Sequence, residues 1–124
     1  MNKVINSEKA PAAIGPYSQA IESNGFVYVS GQLPINVETD TMPETIEEQT
    51  AQSLSNIKSI LEATGLSMDN VVKTTVLMTN LGDFTKMNEV YGTFFSGAYP
   101  ARAAYQVVAL PKGAMVEIEA VASK

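Results

Sequence analysis

Apolar residues in this 124-residue chain recur at helical spacing in two segments and alternate at strand spacing in the segments around them. The helical spacing predicts helices at about Thr45–Thr64 and Phe84–Phe95. The strand spacing predicts strands at Ser18–Ser23, Phe26–Ser30, Val71–Asn80, Ala101–Ala109 and Met115–Ala122, and residues 3–5 are compatible with a further short strand. The order β-β-α-β-α-β-β predicts an α+β layer in which the helices pack on one face of a sheet.

Local signals set the expected ends of these elements. Asn24-Gly25 supplies the positive φ angles of a tight hairpin turn between the first two strands. Gly31-Gln32-Leu33-Pro34 is expected to end the second strand, because proline cannot donate a hydrogen bond to a ladder. Asp83 is expected to cap the second helix. Alternation along Val71–Asn80 places four side chains on one side of that strand, namely Val72, Thr74, Val76 and Met78.

The acidic composition limits the partners that the chain can have. Its formal net charge is −5 and its lysines are not clustered, which argues against nucleic acid as the main partner. No apolar run approaches the roughly 20 residues that span a bilayer, and the first residues lack the apolar region of a signal peptide. We therefore expect a cytoplasmic protein with no membrane partner and with one domain over residues 1–124.

Cysteine and histidine are both missing from the sequence. Their absence excludes disulfides, thiolate nucleophiles and the Ser-His-Asp and Cys-His catalytic arrangements. Only an all-oxygen metal site would be possible, and no Asp-rich loop is visible for one. General acid–base chemistry would have to use carboxylates, tyrosine or lysine, and a carboxylate is the best suited base near neutral pH.

Arg102 is the only arginine, and it lies in a segment, residues 99–108, that is otherwise free of charge. Arginine can bind a carboxylate or phosphate with two parallel hydrogen bonds, so its placement on a predicted strand indicates a small anionic ligand. The alternative is an ion pair with a structural carboxylate such as Glu119.

Two glutamates stand within the apolar terminal strand, at Glu117 and Glu119, where two-residue alternation puts them on one face. Either could simply be a solvated charge on a sheet surface, or Glu117 could act as a base. Arg102 and Glu117 fall on the last two predicted strands, which a short loop at Leu110–Gly113 joins. Whether they face one cleft depends on the register of that pairing.

Five stretches carry the most specific signal in the sequence: Ala10–Gln19, Ser30–Pro34, Asn88–Tyr91, Pro100–Arg102, and Leu110–Lys112 with Val116–Ala120. In their order and spacing, over essentially the whole chain, they resemble the RidA/YjgF/UK114 family of reactive-intermediate deaminases. The resemblance implies a chorismate-mutase-like α+β fold that assembles as a homotrimer with ligand clefts between subunits. It also implies cofactor-free hydrolysis of 2-imino acids and their enamine tautomers, such as 2-iminobutanoate and 2-iminopropanoate, to 2-oxo acids and ammonia. Pyridoxal-phosphate-dependent dehydratases release these intermediates.

The resemblance also implies roles for individual residues. Arg102 matches the arginine that binds the substrate carboxylate, and Glu117 matches the glutamate that orients the attacking water. Four more positions match residues that line the family's pocket: Tyr17, Ser30, Gly31 and Asn88. Three of the four also have an ordinary structural interpretation: Tyr17 could pack over the Gly15-Pro16 turn, Gly31 could end a strand, and Asn88 could be a polar helix residue.

The sequence departs from the family pattern at Ala104, because many relatives have Arg-Ser-Cys where this chain has Arg102-Ala103-Ala104. Hydrolysis by water and a carboxylate does not need that thiol, so only thiol-dependent reactivity is put in doubt. Two other functions stay open. One is a non-catalytic protein that binds 2-oxo acids in the same cleft, and the other is the RNA-cleaving or translation-inhibiting role sometimes attached to the family, which the acidic composition disfavours.

Overall fold

A computed structural model describes residues 2–124. Six strands form one sheet: β1 at Lys3–Ile5, β2 at Ala20–Ser23, β3 at Phe26–Gln32, β4 at Val71–Met78, β5 at Ala101–Gln106 and β6 at Val116–Ser123. Two helices accompany it, α1 at Ile46–Glu62 and α2 at Phe84–Gly92. Neither has the length and apolar character needed to cross a membrane, as judged over residues 2–124.

The strands lie in the order β1-β2-β3-β6-β4-β5. All neighbouring pairs are antiparallel except β4 and β5, which run parallel because α2 carries the chain back between them. The expectation that the last two strands pair with each other is wrong. β6 inserts between β3 and β4, so β4 separates Glu117 from Arg102.

Both helices cover the same face of the sheet. α1 packs against β3, β6 and α2, and the apolar residues that recur at helical spacing along it are all buried, namely Ile46, Leu54, Ile57, Ile60 and Leu61. α2 reaches β4, where Tyr91 Oη and Thr74 Oγ1 are 2.7 Å apart. The opposite face, here called the open face, keeps large side chains exposed, including Tyr28 at 49% and Tyr105 at 56%.

The hairpin and both helix starts follow from short-range chemistry, with one correction. Asn24 and Gly25 have φ angles of 52° and 80°, which confirms the predicted hairpin turn. The Thr45 side chain caps α1 by accepting a hydrogen bond from the Glu48 N–H. Asp83 occupies the cap position of α2, but its side chain makes no capping bond. Asn80 instead caps the preceding 3₁₀ turn through the Gly82 N–H.

Two irregularities in the strands overturn simpler expectations. The ladder between β4 and β6 shifts between Val71 and Lys73, so Val71 is buried and Val72 is 45% exposed rather than facing the core with Thr74. The ladder between β3 and β6 shifts between Val29 and Gln32. β3 therefore continues through Gly31 to Gln32 instead of ending there, and the irregular segment lies beside Glu117.

Candidate active site

A cavity of about 860 Å³ opens beside the irregular end of β3, and we call it the carboxylate pocket. It brings together four of the predicted site residues, Tyr17, Ser30, Gly31 and Glu117. Its other walls come from the loop before β2, the end of β3 and the loop after it, and the turn before β6 with β6 itself. These walls contain Pro11, Ala12, Ile14, Gln32, Leu33, Ile35, Val37, Asp40, Pro111, Lys112 and Glu119. The pocket therefore joins an apolar wall to several carboxylates.

Glu117 is the half-buried carboxylate of this pocket. Val116 and Ile118 on either side of it are fully buried, so alternation along β6 turns Glu117 to the open face. Burial, with a smaller contribution from the negative charge of Glu119, raises the pKa of Glu117 above its ordinary value. A carboxyl group with a raised pKa is a better proton acceptor when ionised than an ordinary surface glutamate.

Gly31 lets the backbone of β3 lie directly against that carboxylate. A Cβ atom at this position would stand 3.0 Å from both Cδ and Oε2 of Glu117. Since such contacts are tighter than carbon atoms normally make, any larger residue would push the carboxylate aside. The missing side chain of Gly31 thus makes room for Glu117 in this position.

The Ser30 hydroxyl is held in one orientation. Its Oγ donates a 2.6 Å hydrogen bond to the Ser18 carbonyl, which can only accept. The Ser30 backbone is fixed as well, because its N–H donates to Gln19 O and its carbonyl accepts from Gln32 Nε2. With its proton committed, Ser30 Oγ can present only lone pairs to another molecule.

Arg102 and Asn88 line a second cavity of about 480 Å³, the guanidinium pocket, together with Tyr91, Gly92, Tyr99 and Pro100. Arg102 Nη1 donates a 2.7 Å hydrogen bond to Asn88 Oδ1. The guanidinium carbon also lies 5.2 Å from the centre of the Phe84 ring and 4.9 Å from that of Tyr91. Three residues of α2 therefore orient one guanidinium, which remains exposed.

Tyr91 is the buried part of this support. Desolvation by burial raises the pKa of Tyr91, and this outweighs the opposing effects of the Thr74 hydrogen bond and the Arg102 charge. The hydroxyl remains neutral at ordinary pH, so the ring offers Arg102 an uncharged aromatic face.

The structure does not support the pairing of Arg102 with Glu119. Within residues 2–124 the ion pair that the structure shows joins Lys124 Nζ to Glu22 Oε1 at 3.0 Å. Arg102 is bound by the neutral Asn88 amide, which leaves its positive charge uncompensated and available to an anion.

One copy of the chain does not bring Arg102 and Glu117 together. Arg102 is opposite Thr74 in the ladder, and Glu117 is opposite Leu77. Because Thr74 and Leu77 are three residues apart on β4, their side chains point to opposite faces of the sheet. The carboxylate pocket and the guanidinium pocket accordingly share no lining residue.

The sequence analysis assigned no site role to the two aromatic supports of Arg102, Phe84 and Tyr91. A signal was available, because Phe84, Asn88 and Tyr91 are spaced by four and three residues and so lie on one helix face. Ala104 is half-buried and packs against the core. As to metals, residues 2–124 contain no group of three or more acidic side chains arranged to hold an ion.

Comparisons with known proteins agree with this fold over its whole length. The family model described as Endoribonuclease L-PSP matches residues 7–124. The mouse 2-iminobutanoate/2-iminopropanoate deaminase is 50% identical over 123 residues, which cover 98% of this chain and 91% of that protein.

Solved structures superpose closely on the chain. RidA from a Psychrobacter species has a TM-score of 0.95 at 48% identity, covering 98% of this chain and 99% of that one. TdcF of E. coli, solved with bound serine, has a TM-score of 0.95 at 42% identity and covers 98% of each chain. These matches extend over nearly all residues at high identity, and the chain belongs to the RidA/YjgF/UK114 family.

Proposed function

We propose that the protein hydrolyses 2-iminobutanoate and 2-iminopropanoate, with their enamine tautomers, to 2-oxo acids and ammonia. The observation that carries the proposal is the half-buried Glu117 carboxylate, whose pKa is raised and for which Gly31 makes room inside a cavity. Mammalian relatives of about half-identical sequence, from mouse, rat and cattle, are 2-iminobutanoate/2-iminopropanoate deaminases. The chain is accordingly an enzyme, a hydrolase that acts on C–N bonds.

The active unit in this proposal is a homotrimer in which the guanidinium pocket of one subunit faces the carboxylate pocket of the next. Arg102 and Glu117 project from opposite faces of one sheet, so a single copy cannot direct both at one small molecule. The open face also leaves apolar area uncovered around Tyr28 and Tyr105, which a partner subunit would bury.

The guanidinium would bind the substrate through its carboxylate. Asn88 takes up one edge of the Arg102 guanidinium, and the remaining N–H groups are free to donate two parallel hydrogen bonds to a carboxylate. The aromatic rings of Phe84 and Tyr91 limit the motion of the guanidinium before the substrate arrives. Binding then needs little reorganisation, which favours a productive geometry.

Glu117 would supply the base for hydrolysis. It accepts a proton from a water molecule as the water oxygen bonds to the C=N carbon, and it passes that proton to the nitrogen to give a carbinolamine. The C–N bond then breaks and its electron pair leaves with the nitrogen, which takes up the hydroxyl proton by way of Glu117 and departs as ammonia. The hydroxyl oxygen loses its proton and becomes the ketone of the 2-oxo acid.

The nitrogen would be oriented by Ser30. Its hydroxyl already donates to Ser18 O, so it accepts a hydrogen bond from the imine or amine N–H. The reaction requires no cofactor, because free imines already hydrolyse in water. One carboxylate base alone is worth about 10²–10⁴-fold in rate, and orientation of the substrate adds to this acceleration.

The direct test generates 2-aminoacrylate or 2-aminocrotonate in situ with a dehydratase and follows imine loss. Acceleration over buffer by the wild-type protein is expected. Glu117→Gln should lose about 10²–10⁴-fold of kcat/KM, and Arg102→Lys should lose most activity because the ammonium lacks the planar fork. Glu62→Gln, at an exposed glutamate on α1, is the matched control. Equal rates with and without the wild-type protein would refute the proposal.

A second candidate is a non-catalytic protein that binds small carboxylates, which the serine bound to the similar TdcF favours. Arg102 would explain such binding even if Glu117 took no chemical part. Calorimetry with 2-oxobutanoate, run beside the turnover assay, separates the two functions. Binding without turnover would support the sensor, and the absence of binding would exclude it.

A further inference from the structure

The loop before β2, residues 7–17, forms one wall of the carboxylate pocket. Pro11, Ala12, Ile14 and Tyr17 line the cavity from this loop, and Ile14 and Tyr17 are 81% and 53% exposed. The loop has no helix or strand of its own. Apart from the buried Ala10, little of it is packed into the core, so something else must hold the wall in place.

Gln19 provides that attachment. Its side chain is 2% exposed and contacts three residues of the loop through their backbone. Oε1 accepts a 2.7 Å hydrogen bond from Ser7 N–H, while Nε2 donates to Ser7 O, Ala10 O and Pro11 O at 3.1, 3.3 and 2.7 Å. Within residues 2–124, these are the hydrogen bonds that tie the loop to the rest of the molecule. The others in the loop, Lys9 N–H to Ser7 Oγ and Tyr17 N–H to Gly15 O, are internal.

The same residue is joined to the opposite wall. Gln19 O accepts a hydrogen bond from the backbone N–H of Ser30, which lines the cavity together with its neighbour Gly31. One residue therefore sets the distance between the loop wall and the strand that carries Ser30. A carboxamide is the side chain that can both accept from and donate to a backbone in this way.

We infer that Gln19 is a positioning residue of the active site, which holds residues 7–17 as a formed wall around the substrate. Gln19 does not line the cavity, so it acts through Pro11, Ile14 and Tyr17 rather than by touching substrate. The kinetic part of this inference rests on the proposed deaminase function, whereas the ordering of the loop does not.

The first test compares Gln19→Leu with Gln49→Leu by hydrogen exchange and kinetics. Gln49 is a matched control, since it is 4% exposed and also joins backbone groups, accepting from Met115 N–H and donating to Pro43 O. Gln19→Leu should speed amide exchange within residues 7–17 alone and lower kcat/KM about 10- to 100-fold, mainly by raising KM. Gln49→Leu should destabilise the protein to a similar degree and leave amide exchange within residues 7–17 unchanged.

The second test uses Gln19→Glu, in which the proton on the new carboxyl decides whether a donor is present. The ionised form repels the three carbonyls, and the neutral form can again donate to Pro11 O while accepting from Ser7 N–H. The ratio of its kcat/KM to that of wild type should therefore rise as the pH is lowered.

Three results would overturn the inference: unchanged exchange in residues 7–17 of Gln19→Leu, equally fast exchange of those residues in Gln49→Leu, or a pH-independent ratio for Gln19→Glu. If the wild-type protein has no deaminase activity, the proposed function fails on its own. The exchange experiment then decides the role of Gln19, because it needs no turnover.

Discussion

The two pockets of this chain are built in contrasting ways. The guanidinium pocket takes its arginine from β5 and all three supports of that arginine from one face of α2, at Phe84, Asn88 and Tyr91. The carboxylate pocket gathers residues from the loop before β2, from β3 and the loop after it, and from the turn and strand at the end of the chain. One pocket is fixed largely by a single helix, and the other by long-range assembly of the sheet.

The difference teaches where each half of the proposed site is vulnerable. The position of Arg102 depends on contacts between α2 and β5, which follow one another in the sequence. Substitutions elsewhere in the fold should therefore leave Arg102 in place. The position of Glu117 depends on the register of β6 and on the irregular end of β3, which must come together across most of the sequence. The carboxylate half should therefore be the more sensitive to changes elsewhere in the fold.

Mixing two inactive variants tests most strongly whether the halves come from different subunits. Arg102→Ala and Glu117→Gln, unfolded together in equal amounts and refolded, should regain about one quarter of wild-type activity. About three quarters of random trimers contain both variants. In each of these mixed trimers, cyclic symmetry gives about one site in three that has both Arg102 and Glu117 intact. The measurement is turnover before and after mixing.

Each variant refolded alone is the control for that experiment and should stay inactive. Absence of recovery, with mixed trimers verified by mass spectrometry, would place both residues in one subunit's site and contradict the proposed assembly.

Gly31→Ala tests the dependence of the carboxylate pocket on close backbone approach. The new Cβ would crowd Glu117 Cδ and Oε2, and the flexible carboxylate would move rather than the strand. We expect kcat/KM to fall about 10²-fold with little change in melting temperature. Wild-type kinetics in this variant would show that the position of Glu117 is not critical. Gly97→Ala, where an added Cβ meets nothing within 4 Å, is the control.

Two substitutions of Tyr91 separate its ring from its hydroxyl in the guanidinium pocket. Tyr91→Leu removes one aromatic face from Arg102, and a cation–π contact is worth about 0.5–2 kcal/mol, so KM should rise about 2- to 30-fold. Tyr91→Phe keeps the ring but leaves Thr74 Oγ1 unpaired, which should cost about 1–3 kcal/mol of stability while KM stays unchanged. Kinetics and urea denaturation measure the two effects, and equal KM values in both variants would count against the aromatic support.

The smallest expected effect is a pH shift in the carboxylate pocket. Desolvation raises the pKa of Glu117, and the negative charge of Glu119 raises it further. Glu119→Gln should therefore move the acid limb of the kcat/KM profile to lower pH. A pH–rate profile of both proteins measures the displacement. An unchanged acid limb would mean that another group controls it.

The same shift has a signature in stability. A carboxyl group with a raised pKa binds its proton more tightly in the folded protein than in the unfolded one, so its contribution to stability falls as the pH rises from 4.5 through the folded pKa. Glu117→Gln should therefore gain in melting temperature relative to wild type over that interval.

The sequence predicted the local structure around Arg102 better than the arrangement of the two pockets. The helix, the strand that carries Arg102 and the outward face of Glu117 all follow from local periodicity, which the structure confirms. The pairing of β5 with β6 was wrong because adjacency along the chain was taken for adjacency in the sheet. A strand, a helix and a second strand in succession favour parallel pairing, and this is how β4 and β5 lie.

The irregular strands were harder to foresee. Val72 was expected on the same side of the strand as Thr74 because strict alternation cannot anticipate a shift in register, and nothing near Val71 in the sequence marks one. Gly31 did carry a signal, since glycine inside a strand often marks close backbone approach, but the following proline favoured the end of a strand instead. Only the contact with Glu117 distinguishes a glycine that allows close backbone approach from one that ends a strand.

The committed proton of Ser30 gives the proposed site a chemical direction. An imine or amine nitrogen meets the hydroxyl oxygen as a donor meets an acceptor, but the ketone of a 2-oxo acid would meet it as one acceptor meets another. The same atom that holds the substrate would then disfavour the product. In the proposed reaction, a hydrogen bond of 2.6 Å to a neighbouring carbonyl thus supplies a reason for the 2-oxo acid to leave once the C–N bond is broken.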